Sequence, residues 1–295
     1  MYRLARLPLI LPALCAVASL TMTARLVAVV RGEIVAPQAA GPSDALHRPL
    51  DQLLDVNVRD GLVYYRALRG ERGRLDRYIS SLNIPAATYE SWKREDKMAF
   101  WVNAYNAFVL QTVIDRYPIH GSNAGYPANS IRQIPGAFET IKHRAAGRSL
   151  TLDEIEKSVL AEFKEPRLYL ALGRGAIGSG RLRSEAFSGA RIMQQLDDIQ
   201  ENFVSEQTML RIDRATGQVT VTPILSWREK DFIAAYDTVA SGPMAQRSPI
   251  ERAIVAFITP SVLPLEREFL QKNQFKVTYH PLDWRLNDLT GGRPE

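Results

Sequence analysis

The chain opens on an apolar run with no amphipathic period. Leu7 to Met22 are almost all apolar behind Arg3 and Arg6, and small residues follow. A basic start, a short apolar stretch and a small-residue exit form the pattern of a secretory signal. Pro8, Pro12 and Arg25 argue against a well-formed spanning helix, so the segment reads first as a cleaved signal. The alternative is an uncleaved anchor from Leu7 to Val30, long enough to cross a bilayer if Arg25 is tolerated. Ala16, Val17 and Ala18 offer one small-x-small cleavage position. Residues 32–49 are rich in Pro, Ala and Gly and lose all apolar period, which reads as a linker. Residues 1–31 are thus a signal or anchor, and folded structure is expected near Leu50. It should form a single domain over 50–290, with 291–295 as a tail.

Within that domain the periods alternate between helix and strand. Asp60-Gly61 ahead of Val63 to Tyr65 predicts a short hairpin or strand, and "RLDRYISSL" a helix burying Leu75, Tyr78, Ile79 and Leu82. From Met98 to Ile114 the chain is apolar nearly all the way round, which marks a buried central helix from about Ser91 to Arg116, ended by Tyr117-Pro118. Thr151 and Glu154 stand at capping-box spacing and open another helix. "RLYLAL" fits a buried strand, and helices are expected from near Ser188 or Gly189. "TMLRIDRATGQVTVTPI" predicts a hairpin, "REKDFIAAYD" and "SPIERAIVAFI" helices, and "QFKVTYHPLDW" a late strand. This order predicts an α+β fold, a small mixed or antiparallel sheet packed on the buried helix.

Composition narrows the chemistry. The 295 residues are 46% hydrophobic and 23% charged, an ordinary globular makeup. The only cysteine, Cys15, lies in the export segment, so the domain has no disulfide, thiolate metal site or cysteine nucleophile. Cys15 is no lipid-attachment cysteine either, because Pro12 and Leu14 stand where that signal needs an aliphatic and a small residue. The four histidines, His47, His120, His143 and His280, have no paired spacing, so neither a metal site nor a cofactor is expected. Residues 1–40 hold four Arg and one Glu, which leaves 33 basic against 31 acidic residues and no electrostatic case for nucleic acid.

The segment "PRLYLALGRGAIGSGRLRSEAF" holds G-x-G-x-x-G at Gly173, Gly175 and Gly178. A dinucleotide site also needs a helix starting inside the motif and an acidic residue ending a second strand, and "RLRSEAF" breaks that frame. A nucleophile elbow needs glycines where Ile177 and Arg181 stand, although Ser179 with His280 and Asp283 leaves a serine triad imaginable. Asn103 and Asn106, three apart on the buried helix, need hydrogen-bond partners. The structural reading has them pinning loop backbone, and the functional one has them lining a pocket.

"KMAFWVNAYNAFVL", "SIRQI", "SLTLDEIE", "PRLYLALGRGAIGSGRLRSEAF", "QQLDDIQENFV", "LSWREKDF" and "YHPLDWRLN" occur in an order that resembles the family called domain of unknown function 547, from about Val56 to Asn287. The resemblance implies export, since many bacterial members look exported, but it assigns no reaction. Members often carry histidine where this chain has Lys157 and Tyr169, and cysteine where it has Arg174 and Ser179, the second followed by proline where it has Gly180. A converging cysteine and histidine would support thiol chemistry, and all four positions are replaced here. Positions that match the family pattern are Asn103, Asn106, Glu156, Arg167, Arg183, Asp283 and Asn287.

The reading is therefore an exported, periplasmic or extracellular protein that acts by binding, with no assigned partner beyond membrane association through the N-terminal segment. Ligand-binding candidates are Asn103, Asn106, Arg167, Arg174, Arg183, Asp283 and Asn287. Arg174, Arg181 and Arg183 offer donors to an anion, unless they are solvated or paired with Glu165 and Glu185. One alternative is a hydrolase or transferase using Ser179 with Glu156 or His280; another is a structural component of an envelope complex.

Overall fold

Across residues 41–237 and 242–291, which the computed structural model describes, the chain begins in a helix where a linker was expected. Helix α1 (Pro42–Asn57) starts at a proline, which suits a first helical position, and the Gly41 N–H ahead of it donates to Asp44 at 2.7 Å. Its buried face runs Ser43, His47, Leu50, Leu53, Leu54 and Asn57. The expected start near Leu50 is therefore corrected, because an apolar scan passes over the polar first members of that face. Ser43 donates to Asp96 at 2.6 Å, and His47 Nδ1 meets the Tyr78 hydroxyl at 2.8 Å. The signal or anchor segment lies outside the described residues.

Strands β1 (Val58–Arg59) and β2 (Leu62–Val63) form the expected hairpin, with Asp60 and Gly61 at φ 52° and 80°, the left-handed pair that a two-residue turn needs. Helices α2 (Tyr65–Gly70), α3 (Arg72–Ser81) and α4 (Ala86–Glu90) lead into α5 (Arg94–Ile114). Of the 21 residues of α5, 17 are buried, so the helix must be covered on nearly every side. Helices α1, α2 and α3 pack on it, and Phe100, Trp101 and Phe108 along it are fully buried. Each such side chain contributes about 1.5–3 kcal/mol on leaving water. No helix among the described residues is long and apolar enough to cross a membrane.

Beyond α5 the backbone departs from simple periods. A second hairpin, β3 (His143–Ala145) with β4 (Arg148–Leu150), had no predicted counterpart. Helix α6 (Leu152–Glu154) opens on the predicted capping box, Thr151 Oγ1 accepting from the Glu154 N–H at 3.1 Å and Glu154 accepting from the Thr151 N–H at 2.7 Å. After one turn it widens into a π-helical turn at Ile155–Val159, then tightens into a 3-10 turn at Leu160–Phe163. "RLYLAL" is also not a strand: Pro166–Leu170 form a 3-10 helix. Pro166 fixes the first position and the Glu165 carboxylate accepts from the Arg167 N–H at 3.2 Å. All five residues are buried, so their pattern carried no period that separates strand from helix.

Helix α7 (Ile192–Phe203) follows, then β5 (Leu210–Asp213) and β6 (Gln218–Val221), α8 (Ile224–Trp227), α9 (Glu229–Tyr236), α10 (Pro249–Ile258), α11 (Pro264–Lys272) and β7 (Lys276–Tyr279). The sheet order is β5-β6-β7. The β5–β6 pair is the expected antiparallel hairpin, and β7 joins β6 in parallel with Val221 opposite Tyr279. Buried apolar residues from Leu50 to Leu286 form one cluster that takes in both α5 and the sheet. The fold is α+β, rich in helix, with small sheets.

Candidate functional site

The glycine turn is held by its own backbone. The N–H of Gly173 donates to Asn106 Oδ1 at 2.9 Å, that of Arg174 to Ser179 Oγ at 3.1 Å, and that of Gly175 to the Gly173 carbonyl at 2.8 Å. Those of Ile177, Gly178 and Ser179 reach the carbonyls of Arg285, Asp283 and Ala176. A phosphate-cradling loop needs such groups pointing outward, and here six of them are already engaged. Two glycines serve close approach: a Cβ on Gly178 would lie 2.5 Å from the Asp283 nitrogen, and one on Gly180 1.9 Å from the Leu170 oxygen.

Asn103 and Asn106 act on the same neighbourhood from α5. Asn103 makes a reciprocal pair with Phe187, donating to its carbonyl at 2.8 Å and accepting from its N–H at 2.9 Å. Asn106 bridges the Ala171 carbonyl and the Gly173 N–H. Both amides staple irregular backbone to the buried helix, which sets the height of the turn above α5.

Beside the turn lies a buried ion pair. Arg174, with 2% of its side chain exposed, donates Nη2 to Glu156 Oε1 at 2.7 Å and Nε to Oε2 at 3.1 Å. Its Nη1 donates to the Tyr169 carbonyl at 3.1 Å, and the Tyr105 hydroxyl donates to Glu156 at 3.3 Å. Glu156 stands on the π-helical turn, a distortion found often at functional sites. Burial disfavours the Arg174 charge, but Glu156 beside it outweighs that and raises its pKa. Burial pushes the Tyr105 phenol well up, with Glu156 adding to the effect. Burial also raises Tyr169 to about 12 against the opposing pull of Arg228, so both phenols stay protonated in neutral solution.

This pair floors a cleft of about 350 Å³. Arg132 lies over the Phe138 ring at 4.3 Å and the Trp284 ring at 4.6 Å, with Nη1 held by Glu139. Arg228 lies over Tyr169 at 4.0 Å and pairs with Asp231 at 2.7 Å. Trp227 and Trp284 are nearly parallel, at 17° with centroids 6.4 Å apart. The Nε–H groups of Arg132 and Arg228 are buried and have no partner among the described residues. Lys157, paired with Asp153, completes the rim. None of the lining residues is His, Ser or Cys.

The remaining candidates lie apart from this cleft. Ser179 is buried; its hydroxyl donates to the Ala176 carbonyl at 2.7 Å, and no hydrogen bond joins it to His280 among the described residues. His280 follows β7, with Nδ1 against the Pro281 carbonyl. Arg167 is paired with Glu165 and Asp197, and its hydrogen bonds to Glu165 lead in raising its pKa. Asn287 accepts from the Tyr65 hydroxyl at 2.7 Å and donates to the Gly61 carbonyl at 2.9 Å, tying the C-terminal segment to the first hairpin. Asp283 is held by Arg285, whose hydrogen bonds lower its pKa. Arg183 and Arg181 line a larger cleft of about 520 Å³, but Arg183 pairs with Glu185 and Asp198, and Arg181 with Asp60 and Glu206. That cleft is the roomier of the two, and the arginines of both have acid partners; the smaller one is the better candidate because two of its guanidinium groups also carry a buried Nε–H with no acceptor among the described residues.

The walls of the smaller cleft, Arg132, Phe138, Trp227, Arg228 and Trp284, were not among the sequence candidates. Four of them stand inside or beside stretches already conspicuous in the sequence: Arg132 in "SIRQI", Trp227 and Arg228 in "LSWREKDF", and Trp284 in "YHPLDWRLN". What no single stretch shows is that these meet over Glu156 and Arg174.

Fold and site together define an α+β protein with an arginine and aromatic cleft over a buried ion pair. The model of the family described as Protein of unknown function, DUF547, matches residues 89–204, and over that segment the chain resembles the family. The segment holds the first five of the seven motifs, the asparagine pair and the floor of the cleft, whereas Trp227, Arg228 and Trp284 come from beyond it. No curated protein and no solved structure matches the chain.

Proposed function

We propose that this protein is exported and acts by binding a small ligand in the cleft above Arg174 and Glu156, without thiol chemistry. The observation that carries the reading is the pair of buried Nε–H groups of Arg132 and Arg228 that have no partner among the described residues. A buried donor without an acceptor costs about 1–3 kcal/mol, and both belong to guanidinium planes already fixed on aromatic faces in the same cleft. Arg174 occupies a position where relatives often carry cysteine, and its buried bidentate pair with Glu156 makes it a structural floor. The basic and apolar start of residues 1–30 supports export.

The test is ligand-observed NMR on the purified mature protein with a mixed pool of small metabolites. Hits that vanish in Arg228→Gln and persist in Arg183→Gln support the site. Hits lost in Arg183→Gln instead move it to the larger cleft, and covalent fluorophosphonate labelling of Ser179 refutes a binding-only role. Export predicts that protein isolated from its native cell begins after residue 15, read by intact mass; an intact Met1 in a soluble cytoplasmic fraction refutes it.

A further inference from the structure

We infer that the ligand of this cleft is a monoanionic carboxylate carried on a flat ring; the inference rests on the binding role proposed for that site. Three observations converge on it. The two tryptophans are nearly parallel, at 17°, with centroids 6.4 Å apart, near the far end of the range for stacked rings. Trp227 is 47% exposed, so its outer face is open, and a flat ring stacks on such a face better than a puckered one. Secondly, both orphaned donors are guanidinium Nε–H groups. Arg132 is held in place by Phe138, Trp284 and Glu139, and Arg228 by Tyr169 and Asp231. A carboxylate has two oxygens with in-plane lone pairs that match fixed guanidinium edges.

Charge sets the valence. The lining holds Arg132, Lys157, Arg174 and Arg228 against Glu139, Asp153 and Glu156, and Asp231 stands on Arg228 just behind. The surplus is at most one positive charge, which suits a monoanion and disfavours a phosphate dianion. The ligand is bound without a covalent step. The ring stacks on the exposed face of Trp227, the carboxylate pairs with the guanidinium groups of Arg132 and Arg228 that line the cleft, and the Arg174–Glu156 pair stays intact beneath.

The test is a calorimetric and saturation-transfer NMR titration of the mature protein with five probes: benzoate, cyclohexanecarboxylate, acetate, benzyl alcohol and phenyl phosphate. Benzoate is expected to bind about tenfold or more tightly than each of the others, since each lacks the flat ring or the carboxylate or carries a second charge. Arg132→Gln and Arg228→Gln should each weaken benzoate about tenfold, with Arg183→Gln as the unaffected control. Trp227→Leu, at a half-exposed position that does not endanger folding, should weaken benzoate more than acetate. Cyclohexanecarboxylate binding within threefold of benzoate would overturn stacking of a flat ring, and tighter binding of phenyl phosphate would overturn the monoanion. Failure of all five probes overturns the ligand class. If pooled metabolites still give hits sensitive to Arg228→Gln, the cleft itself survives; if none is sensitive, the cleft falls with it.

Discussion

The Arg174–Glu156 pair offers the sharpest test of the floor's role. The guanidinium is 2% exposed and makes hydrogen bonds at 2.7 and 3.1 Å to the carboxylate, with a further one at 3.1 Å to the Tyr169 carbonyl. Removing one partner strands a buried charge, and such losses typically cost about 3–5 kcal/mol. Arg174→Met is expected to fall in that range at pH 7, because Glu156 keeps only the Tyr105 hydroxyl. Glu156→Gln should lie near the lower end, since the new amide oxygen still accepts one bond. The double variant Arg174→Met/Glu156→Leu removes both charges and leaves only neutral groups short of partners, at about 1 kcal/mol each. Its cost should therefore be well below the sum of the singles, with a coupling of about 2 kcal/mol or more. Urea unfolding followed by circular dichroism measures all four corners of the cycle. Additive costs, or singles below about 1 kcal/mol, would refute the pair as a buried structural floor.

Ser179→Ala should cost about 1–2 kcal/mol in the same urea assay, through the lost bonds to the Ala176 carbonyl and the Arg174 N–H, and should leave benzoate affinity within twofold. Gly180→Ala, with its Cβ 1.9 Å from the Leu170 oxygen, should cost more than about 3 kcal/mol by urea midpoint or fail to give soluble protein. Burial holds His143 at about 4 and His47 at about 3, the latter against the opposing pull of Asp44; both lie below the usual 6.5. The unfolded chain therefore binds more protons below pH 6.5, and stability is lost as pH falls, by up to about 1.4 kcal/mol per pH unit for each histidine. Urea midpoints between pH 7 and 5 should fall in wild type and fall less in His143→Phe, which keeps the 4.4 Å stack on Phe108 without the titration.

How much of this could be read ahead of the coordinates depended on whether a segment repeats one environment. Helix α5 did, since being apolar on every side has one meaning at that length, and so did the Thr151 capping box and the β5–β6 hairpin. Legibility failed where neighbours decide the backbone. The face of α1 starts with Ser43 and His47, which read as linker until Asp96 and Tyr78 are seen to receive them. The run Pro166–Leu170 is wholly buried, so its apolar letters carry no period, and Pro166 and the Glu165 cap settle its 3-10 form. The π-helical turn at Ile155–Val159 has no local signature at all, because it follows a good helix start.

The site divides along the same line. Its floor was legible in part, since Glu156 and Arg174 both stood among the sequence candidates, and the fold brings them together beneath one cleft. Its walls were not found, because Arg132, Trp227 and Trp284 come from separate segments and each is unremarkable alone. The glycine turn links the two halves. Its backbone amides are committed inward, and its glycines admit the Asp283 and Leu170 backbones, so it works as a spacer and not as a ligand cradle. By packing against the 283–285 segment it fixes where Trp284 stands relative to Arg174. In this chain the turn therefore contributes position, and the chemistry of recognition falls to the arginines and rings it holds apart.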